Sequence, residues 1–135
     1  MALFGTMDWA NAFMAAINAS KAYEDAAQTW EGDFYFIINT DGSLPQAVVL
    51  YMDLWHGKCR EAFEVADESV KNPVFRMSAP PATWKKVLTK KLDPIQGLMT
   101  GQLKLKGNMA MVMKSVKAAK ELVEACTRVE TEFLD

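Results

Sequence analysis

Histidine and cysteine are scarce in this 135-residue chain, which has one histidine, His56, and two cysteines, Cys59 and Cys126. A structural zinc site needs four such ligands at short spacings, and the chain has no Cys-x-x-Cys or His-x-x-x-His pair. No metal site is therefore predicted. The wide separation of the two cysteines favours free thiols in a reducing compartment, with a disulfide bond as the alternative.

Long apolar runs are also absent, and no Lys or Arg precedes Lys21. Neither a secretory signal peptide nor a membrane-spanning helix is therefore predicted. Hydrophobic residues make up 50% of the chain and charged residues 24%, which is ordinary for a globular protein with a buried core. We expect residues 1–135 to form a single cytoplasmic domain, of an oligomeric state that the sequence does not indicate.

Phosphate-binding motifs are missing as well. Gly101 and Gly107 are too far apart for a Rossmann turn, and no Gly-Lys-Ser or Gly-Lys-Thr follows a glycine-rich loop. No cofactor is therefore predicted.

Charge is distributed unevenly along the chain, although the net charge is only −2. Residues 1–70 contain 11 acidic and 3 basic residues, whereas residues 71–135 contain 12 basic and 6 acidic ones. Nine lysines but no arginine lie between Lys85 and Lys120, which argues against the reading of nucleic-acid bases. These lysines form either a solvated face or a surface that attracts an anionic head group or membrane.

Hydrophobic spacing and turn signals predict an α+β protein, because the strands are segregated from most of the helices. The segment Phe34–Ile38 is apolar on both faces, which is typical of a central strand. Asp41-Gly42 predicts a hairpin turn after it. Strands are expected at 34–38, 47–55, 60–66, 73–78 and 101–107. Helices are expected from Thr6 or Asp8 to about 30, from about 83 to 92, at 94–100 and at 109–128.

The stretch 99–114 carries the most information. Two glycines bracket a short strand in which leucines and lysines alternate between the faces: Gly101, Leu103, Lys104, Leu105, Lys106 and Gly107. Asn108 is a suitable N-cap for the methionine-rich helix that follows. The pattern is typical of a half-exposed strand that leads into an apolar helix, which suits the wall of a cavity for a flexible ligand.

The segment 93–110, DPIQGLMTGQLKLKGNMA, resembles the hallmark segment of the sterol carrier protein type-2 lipid-binding family. That family's pattern is approximately Leu-Asp-Pro, a few residues, then Met-Thr-Gly-Lys-Leu-Lys and Gly-Asp/Asn-Met. Gln102 replaces the usual lysine, and Lys90 stands where a glycine is common. The resemblance covers about residues 20–125. It implies a five-stranded sheet covered by helices, with a hydrophobic tunnel between the layers, and no known reaction.

The methionine-rich helix also has an apolar stripe, which is explained either by core packing or by a cavity wall. Methionine suits a cavity of changing shape, since it is unbranched and polarizable. With the resemblance, the candidate cavity residues are Phe36, Ile38, Leu50, Met52, Phe75, Met77, Leu98, Leu103, Met109, Val112, Met113 and Val116. The candidate contacts to a head group or a membrane are Lys104, Lys106, Lys114 and Lys117.

Three functional hypotheses follow. The first is a carrier, not an enzyme, that holds an acyl chain, a sterol-like lipid or an acyl-CoA and contacts anionic membranes transiently. The second is an acyl-thioester enzyme that uses Cys59 and His56, or a partner that presents substrate to a lipid-metabolism enzyme. Asp53 is predicted to point away from His56 and cannot orient it for base catalysis. The third is a scaffold whose cavity has closed.

Overall fold

The structure is a computed structural model that describes residues 2–40 and 47–132. Its elements follow one another as β1 (Ala2–Leu3), α1 (Met7–Asn18), α2 (Lys21–Ala26), β2 (Glu31–Ile38), β3 (Val48–Trp55), β4 (Lys58–Val65), β5 (Phe75–Ala79), α3 (Pro81–Leu88), α4 (Pro94–Thr100), β6 (Lys104–Lys106), α5 (Met109–Lys114), α6 (Val116–Cys126) and β7 (Thr131–Glu132). The predicted Asp41-Gly42 turn lies outside the described residues.

Five strands form a mixed sheet in the order β4-β3-β2-β5-β6. Strand β2 runs antiparallel to β3 and parallel to β5, and the other neighbours are antiparallel. The five-stranded sheet with its layer of helices confirms the predicted α+β class. A second, two-stranded sheet was not predicted: β1 and β7 pair in parallel, with Ala2 opposite Thr131.

Strand β2 is buried on both faces, as its apolar sequence predicts. Phe34 and Phe36 face the helices, whereas Tyr35 and Ile37 belong to a second apolar cluster on the opposite face. The chain between β4 and β5 covers that outer face. Its main chain is held by the Tyr35 hydroxyl, which lies 2.7 Å from the donating amide of Lys71 and 3.1 Å from the carbonyl oxygen of Glu68.

Two long helices predicted from the sequence are each divided in the structure. The first is interrupted at Ser20, whose side chain accepts a hydrogen bond from the amide of Tyr23 and so begins a new helix. The second is interrupted at Ser115, which has φ −116° and ψ 35°. The prediction of continuous helices at these two points was wrong. It relied on hydrophobic spacing, and this spacing continues across a side-chain cap or a local backbone turn.

The strand predicted at 101–107 is shorter in the structure and spans only β6. Gly101 ends α4 in a left-handed conformation with φ 80°, and the amide of Leu103 still donates to the carbonyl of Gly97. Asn108 caps α5 by accepting a hydrogen bond from the amide of Met111, which confirms the predicted cap. The segment therefore changes from helix to strand to helix within a few residues.

Gly107 lies at the closest approach of this segment to the core. Its φ is +135°, and a Cβ added there would lie 2.5 Å from Cδ1 of Phe75. Phe75 is fully buried, so its ring has little freedom to move away. A side chain at Gly107 is therefore excluded by both backbone conformation and packing.

We expect Gly107→Ala to lower the free energy of unfolding by about 3 kcal/mol, since backbone strain and overpacking combine. Gly101→Ala is the matched control: it also has a positive φ, but a Cβ there meets nothing within 4 Å. It should lower the free energy by only about 1 kcal/mol. Urea denaturation followed by circular dichroism measures both, and equal effects would contradict the packing argument.

Candidate functional site

An apolar cavity of about 60 Å³ lies between the inner face of the five-stranded sheet and the helices. It is lined by Tyr23, Trp30, Phe34, Phe36, Leu54, Met77, Trp84, Val87, Leu88, Pro94, Ile95, Leu98, Leu103, Val112, Ser115, Ala118, Ala119, Leu122, Val123 and Cys126. None of these lining residues carries a charge. Ligand pockets usually measure about 300–1,000 Å³, so a whole lipid requires this cavity to widen.

Two tryptophans present only their apolar rings to the cavity. The indole Nε1 of Trp30 donates to the carbonyl of Gly32 at 3.0 Å, and that of Trp84 donates to the carbonyl of Ile37 at 3.0 Å. Their polar atoms are thus satisfied by the main chain of β2. Trp30 also stacks on Phe34, with ring centroids 5.9 Å apart, so this wall is built of interlocked aromatic rings.

Helix α6 forms the opposite wall. Its cavity-facing residues recur at intervals of three and four: Ala118, Ala119, Leu122, Val123 and Cys126. Ala118 and Cys126 are eight residues apart, which corresponds to about 12 Å along the helix axis. Because the two alanines are small, the N-terminal half of this face leaves more space than the C-terminal half. The lining thus follows α6 over about two turns.

The predicted cavity residues lie in three different environments in the structure. Those that line the cavity are Phe36, Met77, Leu98, Leu103 and Val112. Those that are buried in the core without lining it are Ile38, Leu50, Met52 and Phe75. Those that lie outside both groups are Val116, which is half-buried, and Met109 and Met113, which are 40% and 41% exposed. The break at Ser115 explains this last group, since α5 and α6 do not share one continuous apolar stripe.

Several lining residues were missed by sequence reasoning. Trp84, Val87 and Leu88 are spaced as one face of α3, so a helical stripe was visible for them. The same holds for the alanines and leucine of α6. Tyr23 and Trp30 also lie on the apolar stripe of the first predicted helix, but such a stripe does not distinguish a cavity wall from ordinary core.

The four predicted head-group lysines do not line the cavity. Lys104 and Lys106 pair with Ser78 and Arg76 on the outer side of the sheet, while Leu105 between them points inward. Lys114 ends α5 and Lys117 lies in the first turn of α6. The second pair therefore flanks the helix break at Ser115, a residue that borders the cavity.

The Cys–His arrangement of the enzyme hypothesis finds no support in the geometry. The His56 Nε2 lies 2.6 Å from Glu31 Oε2 at the exposed surface. Cys59 is 1% exposed, and its thiol donates to the carbonyl of Glu61 at 3.3 Å. Burial raises the pKa of Cys59 to about 12, so the nucleophilic thiolate is not formed near neutral pH. Asp53 bonds Arg60 at 3.0 Å and does not orient His56.

Both cysteines are free and buried, which confirms the prediction of two free thiols. Within residues 2–40 and 47–132, no group of three His, Cys, Asp or Glu side chains is placed to hold a metal ion. None of the helices described is long and apolar enough to cross a membrane.

Family comparison decides what this arrangement represents. The family model of the SCP-2 sterol transfer family matches residues 10–120. The chain belongs to this family. Membership implies sterol or lipid binding or transfer, and SCP-2 domains are in general carriers of lipid rather than enzymes. No curated protein sequence matches the chain significantly.

Solved structures agree with the family model. A crystal structure of sterol carrier protein 2 is 39% identical, with a TM-score of 0.87, over 93% of this chain and 98% of the other. The solution structure of a conserved hypothetical protein from Thermus thermophilus is 37% identical, with a TM-score of 0.87, over 98% and 93%. Sterol carrier protein 2 from Yarrowia lipolytica is 16% identical with a TM-score of 0.61 over 87% and 88%, a likeness of fold alone.

The buried thiol of Cys59 generates a prediction about alkaline pH. Its pKa is raised from an ordinary value of 9.0 to about 12 in the folded state, so deprotonation favours the unfolded chain. The stabilisation is complete below about pH 9 and is lost as pH rises toward 12. Cys59→Ala should therefore remove about 1.4 kcal/mol per pH unit from the decline in stability over this range. Urea denaturation at a series of pH values measures the free energy of unfolding of both proteins. An equally steep decline in the wild type and in Cys59→Ala would contradict the prediction.

Proposed function

We propose that this SCP-2 family protein is an intracellular carrier that holds the apolar chain of a lipid in the cavity between the sheet and helices. The observation that carries the proposal is the apolar lining of the cavity, in which no residue carries a charge. Such a lining favours hydrocarbon over any ion, because an unpaired charge there would lose its hydration. Fatty acids, acyl-CoA esters and sterol-like lipids all offer a suitable apolar body.

The hydrophobic effect supplies enough free energy for such binding. Each methylene group removed from water contributes roughly 0.8 kcal/mol. A chain of about a dozen methylenes gains on the order of 10 kcal/mol before the entropic costs of association are subtracted. The length and shape of the cavity, rather than a set of polar contacts, would therefore determine which chains fit.

Widening of the cavity requires one wall to move, and the segment around Ser115 is the proposed moving part. Helix α5 is only six residues long and has one buried residue, Val112. The C-terminal end of α6 is held more firmly. There Lys90 pairs with Glu124 at 2.8 Å, and Trp9 Nε1 donates to Thr131 Oγ1 just beyond the helix, at 3.0 Å. The N-terminal end of α6 and helix α5 can swing outward while this end stays in place.

The proposed opening lies next to a positive surface. Lys114 and Lys117 flank Ser115 and are exposed, so a carboxylate, a phosphate or an anionic membrane would meet them as the cavity opens. Lys104 and Lys106 would contact the same membrane from the outer edge of the sheet. The proposed ligand would thus place its charged end outside the cavity and its chain inside.

The proposal predicts that Ala119→Leu weakens ligand uptake by occupying space that the chain needs. Overpacking costs about 1 to 3 kcal/mol, so the affinity for a fluorescent fatty acid should fall about fivefold or more. Ala110→Leu is the matched control, because Ala110 is exposed on α5. Fluorescence titration compares the affinities of the two variants for the fatty acid. Wild-type protein that takes up no fatty acid, acyl-CoA or uncharged lipid would refute the proposed function.

Membrane contact predicts a second effect. The double variant Lys114→Gln/Lys117→Gln should bind vesicles of anionic phospholipid more weakly, by about 1 kcal/mol per lysine removed. The control Lys21→Gln/Lys58→Gln changes the net charge equally but on residues that pair with Glu24. Sedimentation with vesicles measures binding. If both double variants weaken it equally, net charge rather than this surface is responsible.

A further inference from the structure

Arg76 on β5 has the one buried side-chain polar atom that lacks a hydrogen bond within residues 2–40 and 47–132. This atom is Nε, and Oε1 of Glu68 lies 3.5 Å from it. Nη2 of the same side chain donates to Oδ1 of Asn72, also at a long distance of 3.4 Å. A buried donor without an acceptor lowers stability, so its presence in the fold calls for an explanation.

Arg60 shows that this fold can pair an arginine well. Its Nε and Nη2 donate to the two carboxylate oxygens of Asp53 at 3.0 and 3.1 Å, which is a bidentate pair. The Arg60 side chain is 53% exposed and that of Arg76 only 24%. The more buried arginine thus has the longer contacts, and its Cζ lies over the ring of Tyr35 at 5.4 Å. Pairing within the fold therefore does not account for Arg76.

Two lysines of β6 face the same side of the sheet as Arg76. Lys106 lies directly opposite Arg76 in the register of the two strands. Lys104 lies opposite Ser78, which follows Arg76 by two positions and so shares its face. Leu105 between the lysines packs against the core, which directs both of them to the outer face. Arg76, Lys104 and Lys106 together form one positive cluster, the Arg76 cluster.

The excess of positive charge in the Arg76 cluster favours an anion as its partner. Like charges directly opposite each other on neighbouring strands destabilise a sheet, and Glu68 supplies one negative charge against three positive ones. Lysines on an edge strand such as β6 discourage pairing with another sheet, but that role does not require an arginine opposite one of them. An anion carrying two charges would balance the cluster and lower its internal repulsion.

We propose that the Arg76 cluster binds a phosphate monoester on the outer face of the sheet, away from the cavity. Such a group carries about −1.5 to −2 charges at pH 7 and has three acceptor oxygens, whereas a phosphate diester carries a single charge. The guanidinium of Arg76 would donate to two of these oxygens, the lysines would supply charge, and the Ser78 hydroxyl would donate to the third oxygen. The inference goes beyond the proposed function and does not depend on what the cavity holds.

Glycerol 3-phosphate is the probe, and dimethyl phosphate is its singly charged counterpart. Amide chemical shifts of the full chain, followed by nuclear magnetic resonance during titration, report where each compound binds. We expect glycerol 3-phosphate to produce saturable shifts in β5, β6 and the segment 68–72. Dimethyl phosphate should bind about fivefold more weakly, the effect of roughly one elementary charge at such a surface.

Lys106→Gln separates binding from structure. It should weaken binding of glycerol 3-phosphate about fivefold, yet it should not lower the thermal midpoint, because it relieves the like-charge pair with Arg76. Arg76→Lys keeps the charge but removes the planar fork of donors, and it should weaken binding by a similar factor. Lys120→Gln is the matched control, since it removes the same charge from an exposed residue of α6. It should leave the affinity unchanged.

Shifts that avoid β5 and β6, equal binding of the two phosphates, or equal losses in Lys106→Gln and Lys120→Gln would overturn the inference. The proposed lipid carrier would stand in each case, since its cavity lies on the other face of the sheet. Vesicles then distinguish two sources of the phosphate. A preference for phosphatidic acid over phosphatidylglycerol at equal surface charge, lost in Lys106→Gln, identifies a lipid head group, whereas equal binding of both vesicles identifies a small soluble phosphate.

Discussion

The parallel pairing of β2 with β5 is the constraint on which the rest of the structure depends. Parallel neighbours cannot be joined by a tight turn, so the chain must cross a face of the sheet between β4 and β5. It crosses the outer face, where Tyr35 binds its main chain. The inner face is thereby left to the helices, and the cavity forms between these two layers. The burial of β2 on both sides follows from the same arrangement.

Much of this fold could be predicted from the chain because the signals are local. Alternation marks β6, the N-caps of α4 and α5 are Asp93 and Asn108, and the wholly apolar β2 indicates a central strand. The pairing of β1 with β7 could not be predicted, since it joins two-residue segments at opposite ends of the chain. The breaks at Ser20 and Ser115 were missed for a different reason: hydrophobic spacing continues across both.

The lining of the cavity was harder to predict than the fold. Leu50, Met52 and Phe75 share the inner face with Phe36 and Met77, yet only the latter two border the cavity. Periodicity identifies the face on which a residue lies, but the position of a small space within a packed interior depends on all its neighbours.

The exposure of Met109 and Met113 on α5 has a chemical consequence. A solvent-exposed thioether is open to oxidants, and its conversion to the sulfoxide makes an apolar side chain polar. Met52 is fully buried in the core and is protected. Met7 and Met99 are exposed as well, so oxidation would begin at the methionines of the helical surface, including the two on α5, and would reach the core only later.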